Sequence, residues 1–266
     1  MIRSRLCTFG FSIVTAACLS LPADSRTQTQ DGPLCNTYAR CNLLGTAALQ
    51  HRRLDEAIQF FERQAALAER ADIERQGKSR DALLHSPYKL AITAYNNLAV
   101  AYSYQHDYLQ ARAWALVALR WDRNNRAARF NLHNIERALV GWQWPQTPAG
   151  EYVQYAGRGT WESMIVEPSP PGNAHFCFSG LWWGLGEGPS GIGDLTATVP
   201  LRDSQAEYIS RDFTDNQCSI SMHFYRDKLE VKQTGNDSDC GFGHNVTANG
   251  TFQRISSSAK CTEGAK

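Results

Sequence analysis

The chain has 266 residues, of which 42% are hydrophobic and 20% are charged, and its formal net charge is +1. This length allows two independent hydrophobic cores, and the composition is not that of a disordered protein. A net charge so close to zero lacks the strong basic excess of nucleic-acid-binding proteins. No segment beyond the N-terminal one is long and apolar enough to predict a membrane span. We therefore expect globular domains and no nucleic-acid partner.

The first 23 residues have the order of a secretory signal peptide. Arg3 and Arg5 precede an apolar stretch that runs to about Leu19, and a small residue stands at position 23. We therefore predict that residues 1–23 are a signal peptide and that the protein is exported, either to the periplasm or out of the cell. Cys18 ends a weak match to the lipobox of bacterial lipoproteins, so a lipid anchor at Cys18 is the alternative.

Six cysteines follow the predicted signal peptide, an even number that suits an oxidising compartment. Fifteen pairings are possible, and the spacing favours three. One bridge would lie ahead of the first helix, one would join two strand-like runs, and one would hold the C-terminal tail. These predicted bridges are Cys35–Cys41, Cys218–Cys240 and Cys177–Cys261. Because the chain has no CxxC motif, we predict no metal site and no cofactor.

From about residue 37 to 141, apolar residues recur with helical periodicity, and Asp, Asn and Gly stand at the breaks. This pattern predicts five helices. The first two pairs would form hairpins, separated by a longer connection around Gly77 and Pro87, and the fifth helix would be a cap. The expected ranges are 38–50, 54–74, 94–105, 108–121 and 125–141.

The helical half also repeats itself. Leu98 begins a pattern of small and apolar residues at fixed spacing, and Leu132 begins the same pattern again 34 residues later. The other residues of the first copy are Ala99, Tyr102, Ala111 and Ala118. Residues 37–141 resemble the tetratricopeptide repeat family, which stacks helical hairpins with this period. The resemblance implies a short solenoid whose concave face, lined by the first helix of each pair, holds a peptide or protein partner.

The register implied by this resemblance selects candidate partner-binding residues. Asn97 and Asn131 occupy equivalent positions one period apart, and Asn96 and Asn134 lie nearby. An amide both donates and accepts hydrogen bonds, so a ladder of asparagines can bind the backbone of an extended peptide. Arg137, one turn beyond Asn134, would engage a carboxylate. The alternative interpretation is that these asparagines only bond across turns or to neighbouring helices.

After a linker at 146–150, two-residue alternation replaces the helical period. About eight short antiparallel strands are predicted in residues 151–256, followed by a tail at 257–266. The runs are 152–155, 160–166, 174–178, 195–199, 206–213, 218–224, 229–231 and 246–254. A bend at 240–246 would close a small barrel, and a compact sandwich is the alternative. The GxGxxG spelling at 186–191 is predicted to be a loop because Pro189 interrupts it.

The predicted fold is therefore α+β, with a helical domain at 24–145 and an antiparallel β-barrel that is topologically similar to lipocalin-like periplasmic mini-barrels. No local pairing of nucleophile and base indicates catalysis, so we expect a binding protein and not an enzyme. The first hypothesis is an exported scaffold that binds a peptide or protein partner in the cell envelope, with the disulfide-stapled β domain as a second surface. The alternative makes the barrel the active module, which would bind a small apolar ligand or inhibit an envelope hydrolase such as lysozyme.

Overall fold

The computed structural model describes residues 35–75, 89–184, 188–210 and 217–261. The predicted signal peptide, Cys18 and the centre of the connection around Gly77 and Pro87 lie outside these ranges. Five α-helices are described, and each packs against the next along the chain. They are α1 (Tyr38–Gln50), α2 (Leu54–Arg75), α3 (Ala91–Tyr104), α4 (Tyr108–Trp121) and α5 (Arg126–Ala138). Their bounds differ from the predicted ranges by three residues at most.

Side-chain caps set the starts of three helices. Thr37, Asp107 and Asn125 precede α1, α4 and α5, and each side chain accepts a hydrogen bond from a backbone N–H in the first turn. Such caps satisfy donors that have no partner within the helix. The cap at Asn125 explains why α5 begins at Arg126. None of the described helices is long and apolar enough to cross a membrane.

Small residues let α1 and α2 approach closely. Gly45 of α1 faces Phe61 of α2, and a Cβ atom at Gly45 would lie 2.5 Å from a carbon of that ring. Ala48 and Ala57 are fully buried in the same hydrophobic cluster. The first hairpin therefore packs through the alternation of small and large residues that the sequence shows.

Eight antiparallel strands form a closed barrel in the order β1 to β8, and the sandwich alternative is wrong. Closure comes from β1 and β8, which pair through Tyr152 with Arg254 and Val153 with Gln253. The strands are β1 (Gly150–Gly157), β2 (Thr160–Glu167), β3 (Asn173–Trp183), β4 (Pro189–Arg202), β5 (Gln205–Ile209), β6 (Ser219–Phe224), β7 (Lys228–Thr234) and β8 (Gly250–Ser256).

The hairpin of β3 and β4 is longer than predicted because glycines interrupt its apolar alternation. A Cβ atom at Gly191 would lie 2.2 Å from the backbone oxygen of His244, and one at Gly193 would lie 2.8 Å from the ring of Phe242. The segment of the predicted bend therefore packs directly on the backbone of β4. Residues 189–191, predicted as loop, begin β4 instead, while residues 185–187 lie outside the described ranges.

The last strand begins later than predicted. The bend itself is present as a short 3₁₀ helix, Ser238–Cys240, followed by Gly241 with a φ of 76°. Residues 246–249 do not join the strand ladder, because their backbone and side chains bond to Gln233 instead. The side-chain oxygen of Gln233 accepts a hydrogen bond from the backbone N–H of Ala248 at 2.9 Å. The backbone N–H of Gln233 donates a hydrogen bond to the side-chain oxygen of Asn249 at 2.6 Å.

All three predicted disulfides are confirmed. Cys35–Cys41 joins the segment before α1 to its first turn, Cys218–Cys240 joins the start of β6 to the 3₁₀ helix, and Cys177–Cys261 ties the tail to β3. On the chain-entropy estimate the second bridge, with a sequence separation of 22, stabilises the fold by about 3 kcal/mol.

Large side chains fill the interior of the described barrel. Eight of them are at most 2% exposed: Tyr152, Met164, Phe176, Phe178, Ile220, Met222, Leu229 and Phe252. Arg254 lies at the end next to the linker, where its guanidinium donates to the backbone oxygens of Ala149 and Thr147 and to the hydroxyl of Tyr152. The barrel therefore has a packed core, and its interior resembles a globular protein core more than a ligand cavity.

Candidate functional site

The hairpin of β1 and β2 joins the barrel to the helices. Tyr155 of β1 and Trp161 of β2 pack against Tyr95 of α3 and Trp114 of α4, with ring centroids 4.7 to 5.8 Å apart. Tyr95 and Trp114 are fully buried. Aromatic pairs with offset or edge-to-face geometry stabilise an interface beyond the area that they bury. We call these four residues the joint cluster.

A buried carboxylate completes the joint. Glu69 of α2 is 1% exposed and accepts hydrogen bonds from the hydroxyls of Tyr95, at 2.7 Å, and Tyr155, at 2.5 Å. It also accepts from the backbone N–H of Arg158, in the turn of the hairpin. Burial raises the pKa of Glu69, and these donors together with the Arg158 charge oppose the rise. The carboxylate thus links two helices to the barrel.

A second contact uses opposite charges. Arg112 of α4 forms an ion pair with Asp227 at 2.6 Å and donates a hydrogen bond to Gln253 of β8 at 2.8 Å. Asp227 lies in the turn between β6 and β7. The helical half carries a net positive formal charge and the β-rich half a net negative one. This contact therefore agrees with the electrostatic attraction expected between them.

The predicted asparagines connect α1, α3 and α5. The amide of Asn97 donates to Asn42 at 2.9 Å and to Gln64 at 3.4 Å. The amide of Asn131 donates to the backbone oxygen and the side-chain oxygen of Asn96, both at 3.4 Å. These contacts match the interpretation in which the asparagines bond to neighbouring helices. Binding of a peptide by the same residues stays a prediction.

Exposed side chains stand next to the ladder residues in the sequence. Phe130, next to Asn131, is 66% exposed, and Leu43, next to Asn42, is 58% exposed. Phe130, Asn134 and Arg137 are spaced four and three residues apart on α5, so they share one helix face, and all three are exposed. We call the ladder together with these exposed residues the asparagine face. It consists of Asn42, Leu43, Asn96, Asn97, Phe130, Asn131, Asn134 and Arg137.

Sequence reasoning missed part of this surface, although a signal was present. Asn42 lies two residues before Leu44, just as Asn96 lies two residues before Leu98. The long connection between the hairpins obscured that equivalence. Phe130 was missed because apolar residues in helices are usually buried, whereas the buried side of α5 is formed by Ala128 and Ile135.

The carboxylate of Glu162 lies in the barrel interior, opposite Gln154 in the register of β1 and β2. The amide of Gln154 donates to Glu162 and to the backbone oxygen of Asn249, both at 3.2 Å. Burial raises the pKa of Glu162 to about 7, while the Gln154 amide, a backbone N–H and the Arg120 charge oppose the rise. The described hydrogen-bond partners of the Glu162 carboxylate are therefore an amide and a backbone N–H.

Comparison with known proteins does not assign a family. No family model matches the chain, and no curated protein matches it.

Proposed function

We propose that the protein is an exported, periplasmic or secreted binding protein with tetratricopeptide-like helical hairpins, and that its asparagine face holds an extended segment of a partner protein. One observation carries the proposal: an exposed aromatic ring, an exposed amide and an exposed guanidinium lie together on α5, beside an ordered asparagine ladder. Aromatic and arginine side chains are enriched in protein–protein interfaces relative to the rest of the protein surface. The three disulfides are typical of an oxidising compartment, which supports export.

The residues of the face take two roles in this proposal. Asn97 and Asn131 hold α1, α3 and α5 in register through bonds that already exist without a partner. Such preorganisation lowers the entropy cost of binding. Phe130 supplies apolar contact area, Asn134 offers both donors and an acceptor to a peptide backbone, and Arg137 pairs with a carboxylate of the partner.

The barrel serves as the second surface in this proposal. It packs on α2, α3 and α4 through Glu69 and the joint cluster, while the α5 side of the asparagine face stays exposed. The alternative, in which the barrel is the active module, has less support for a small apolar ligand, because the described interior is filled by side chains. Inhibition of an envelope hydrolase such as lysozyme would have to use the outer surface.

Selection of displayed peptides on the oxidised full chain tests the proposal. Peptides retained by the wild-type protein are then measured against Phe130→Asp and Arg137→Glu by fluorescence anisotropy. We expect each variant to weaken binding by about tenfold or more, as residues at the centre of an interface do. Ile192→Asp is the matched control, because Ile192 is 60% exposed but lies on β4 of the barrel.

The variants also separate binding from folding. Because both side chains are exposed, circular dichroism and the urea midpoint should stay at their wild-type values. Equal affinity of the selected peptides for the wild-type protein and both α5 variants would refute the assignment of the face. Loss of binding in Ile192→Asp alone would move the site to the barrel.

A further inference from the structure

Three potential metal ligands converge on the outer surface of the barrel. His175 and Cys177 are two residues apart on β3 and therefore point to the same side of the sheet. Cys261 is bonded to Cys177 through the disulfide. The ligand atoms of these three residues all lie within 4.8 Å of one another, and the three side chains are only partly buried. A solvent ion can therefore reach them.

A carboxylate joins the same cluster. Glu167 of β2 stands directly opposite His175 in the strand register. One of its carboxylate oxygens lies 4.0 Å from Nε2 of His175, and the other accepts a hydrogen bond from the backbone N–H of Cys261 at 2.7 Å. The backbone bond orients the carboxylate towards the imidazole. The three clustered ligands and this neighbouring carboxylate together offer two sulfurs, one nitrogen and one oxygen.

Two threonines of β4 form hydrogen bonds with two of the ligand side chains. Nδ1 of His175 lies 2.8 Å from the hydroxyl of Thr198, which orients the ring and leaves Nε2 facing Glu167. The hydroxyl of Thr196 donates to Sγ of Cys177 at 3.3 Å. Outer partners that fix the second nitrogen of a histidine are a regular feature of metal sites.

We propose that reduction of the Cys177–Cys261 bridge turns this cluster into a zinc site. The four ligands are both thiolates, Nε2 of His175 and a carboxylate oxygen of Glu167. Tetrahedral sets of sulfur, nitrogen and oxygen donors are those that Zn²⁺ prefers. Zinc then replaces the disulfide as the link between the C-terminal tail and β3, so the tail is held in both redox states.

The chemistry balances with a dithiol as reductant. Its thiolate attacks one sulfur of the bridge, the bond between Cys177 and Cys261 breaks, and the second thiol of the reductant displaces the first cysteine. The bridge gains two electrons and two protons, and the reductant becomes a disulfide. When Zn²⁺ binds, the two cysteine thiols release their protons to solvent.

The rearrangement needed is small. Zinc–sulfur bonds of about 2.3 Å place two tetrahedral thiolates about 3.7 Å apart, so the two sulfurs must move apart when the bridge is broken and zinc enters. The segment before Cys261 can absorb this change, because Ser257, Ser258 and Lys260 are all exposed.

Metal titration of the full chain tests the proposal in both redox states. The reductant is a phosphine, which takes up the oxygen of one water molecule as it reduces each disulfide. We expect one tightly bound Zn²⁺ per chain after reduction and none before it, and Co²⁺ in its place should show the visible absorption of a tetrahedral thiolate site. His175→Ala should weaken binding by at least about tenfold, which separates this site from the other reduced cysteines.

A pair of variants at Cys261 tests the site without reduction and leaves the other two bridges intact. Cys261→His removes the bridge but supplies an imidazole ligand, and Cys261→Ser removes both the bridge and the ligand. We expect the first to bind Zn²⁺ without reductant and the second to bind at least about tenfold more weakly. Equal affinity in these two variants, or a reduced wild-type chain that binds no Zn²⁺, would overturn the proposal. Binding of equal strength by the oxidised chain would overturn it as well.

Discussion

Replacement of Glu69 by alanine is the sharpest test of how the barrel is attached to the helices. The carboxylate accepts hydrogen bonds from two tyrosine hydroxyls and one backbone N–H in a site that is 1% exposed. Glu69→Ala removes the acceptor that these three donors share at a buried position. We therefore expect a loss of stability in the whole described fold and not only a local change.

The expected loss in the free energy of unfolding follows from the number of hydrogen bonds that Glu69→Ala removes. A hydrogen bond to a charged group contributes about 1.5 to 3 kcal/mol, and Glu69→Ala removes two such bonds from tyrosine hydroxyls and one from a backbone N–H. Removal of the desolvated carboxylate offsets part of this cost, because burial already raises the pKa of Glu69. We expect Glu69→Ala to lower the free energy of unfolding by about 3 kcal/mol. Glu69→Gln keeps one acceptor oxygen and should cost about 1 kcal/mol.

Urea unfolding followed by tryptophan fluorescence measures the loss, since Trp114 and Trp161 belong to the joint cluster. Glu74→Ala is the matched control because Glu74 is exposed on the same helix. It should change the free energy of unfolding by less than about 0.5 kcal/mol. If Glu69→Ala also stayed within about 0.5 kcal/mol of the wild-type protein, the donors would have other partners and our account of the joint would be wrong.

Three further outcomes follow from the barrel. Burial raises the pKa of Glu162 from 4.5 to about 7, so the folded state binds this proton more tightly than the unfolded state. In urea unfolding at a series of pH values, stability should therefore rise as the pH falls through 7 towards 4.5, by about 3 kcal/mol in total, and Glu162→Gln should remove this difference. Gly191→Ala should lower the free energy of unfolding by about 1 to 3 kcal/mol, because the added Cβ atom would meet a backbone oxygen. Gly188→Ala is the control: a Cβ atom at this position meets no atom within 4 Å, so the thermal unfolding midpoint should not change. Loss of the Cys218–Cys240 bridge by double substitution with serine should lower the free energy of unfolding by about 3 kcal/mol, measured in urea; an unchanged midpoint would argue against the entropic account.

Local sequence patterns predicted much of the fold. Helical periodicity and capping residues placed five helices, because each signal lies within a few residues of its effect. The length of the β3–β4 hairpin was underestimated, because Gly191 and Gly193 interrupt its apolar alternation. Glycine is needed at these two positions because a loop about fifty residues away in the sequence packs against them. The opposite charges of the two halves indicated that they attract, but the residues of the joint were not visible in the sequence. Tyr155 and Arg158 meet Glu69 across more than eighty residues of sequence, and no local pattern marks such a contact.

The candidate site was only partly predictable for a related reason. The repeat spacing selected Asn97 and Asn131, and both lie on the surface where α1, α3 and α5 meet. Their actual partners depend on how the helices stack, which the period does not specify. Exposure of Phe130 likewise depends on which face of α5 the preceding helices cover.

Three consecutive residues of α3 connect the barrel to the proposed binding surface. Tyr95 packs in the joint cluster, while Asn96 and Asn97 belong to the asparagine face. A change at the joint that shifts α3 must therefore shift the ladder, and by linkage a peptide bound on the face stabilises the joint. We expect Glu69→Ala to weaken a selected peptide by about five-fold, a coupling of about 1 kcal/mol, with Glu74→Ala unchanged in the same anisotropy assay. If the peptide bound Glu69→Ala and the wild-type protein equally well under conditions where both are folded, the two surfaces would be independent, and the barrel would act only as a neighbour of the binding site.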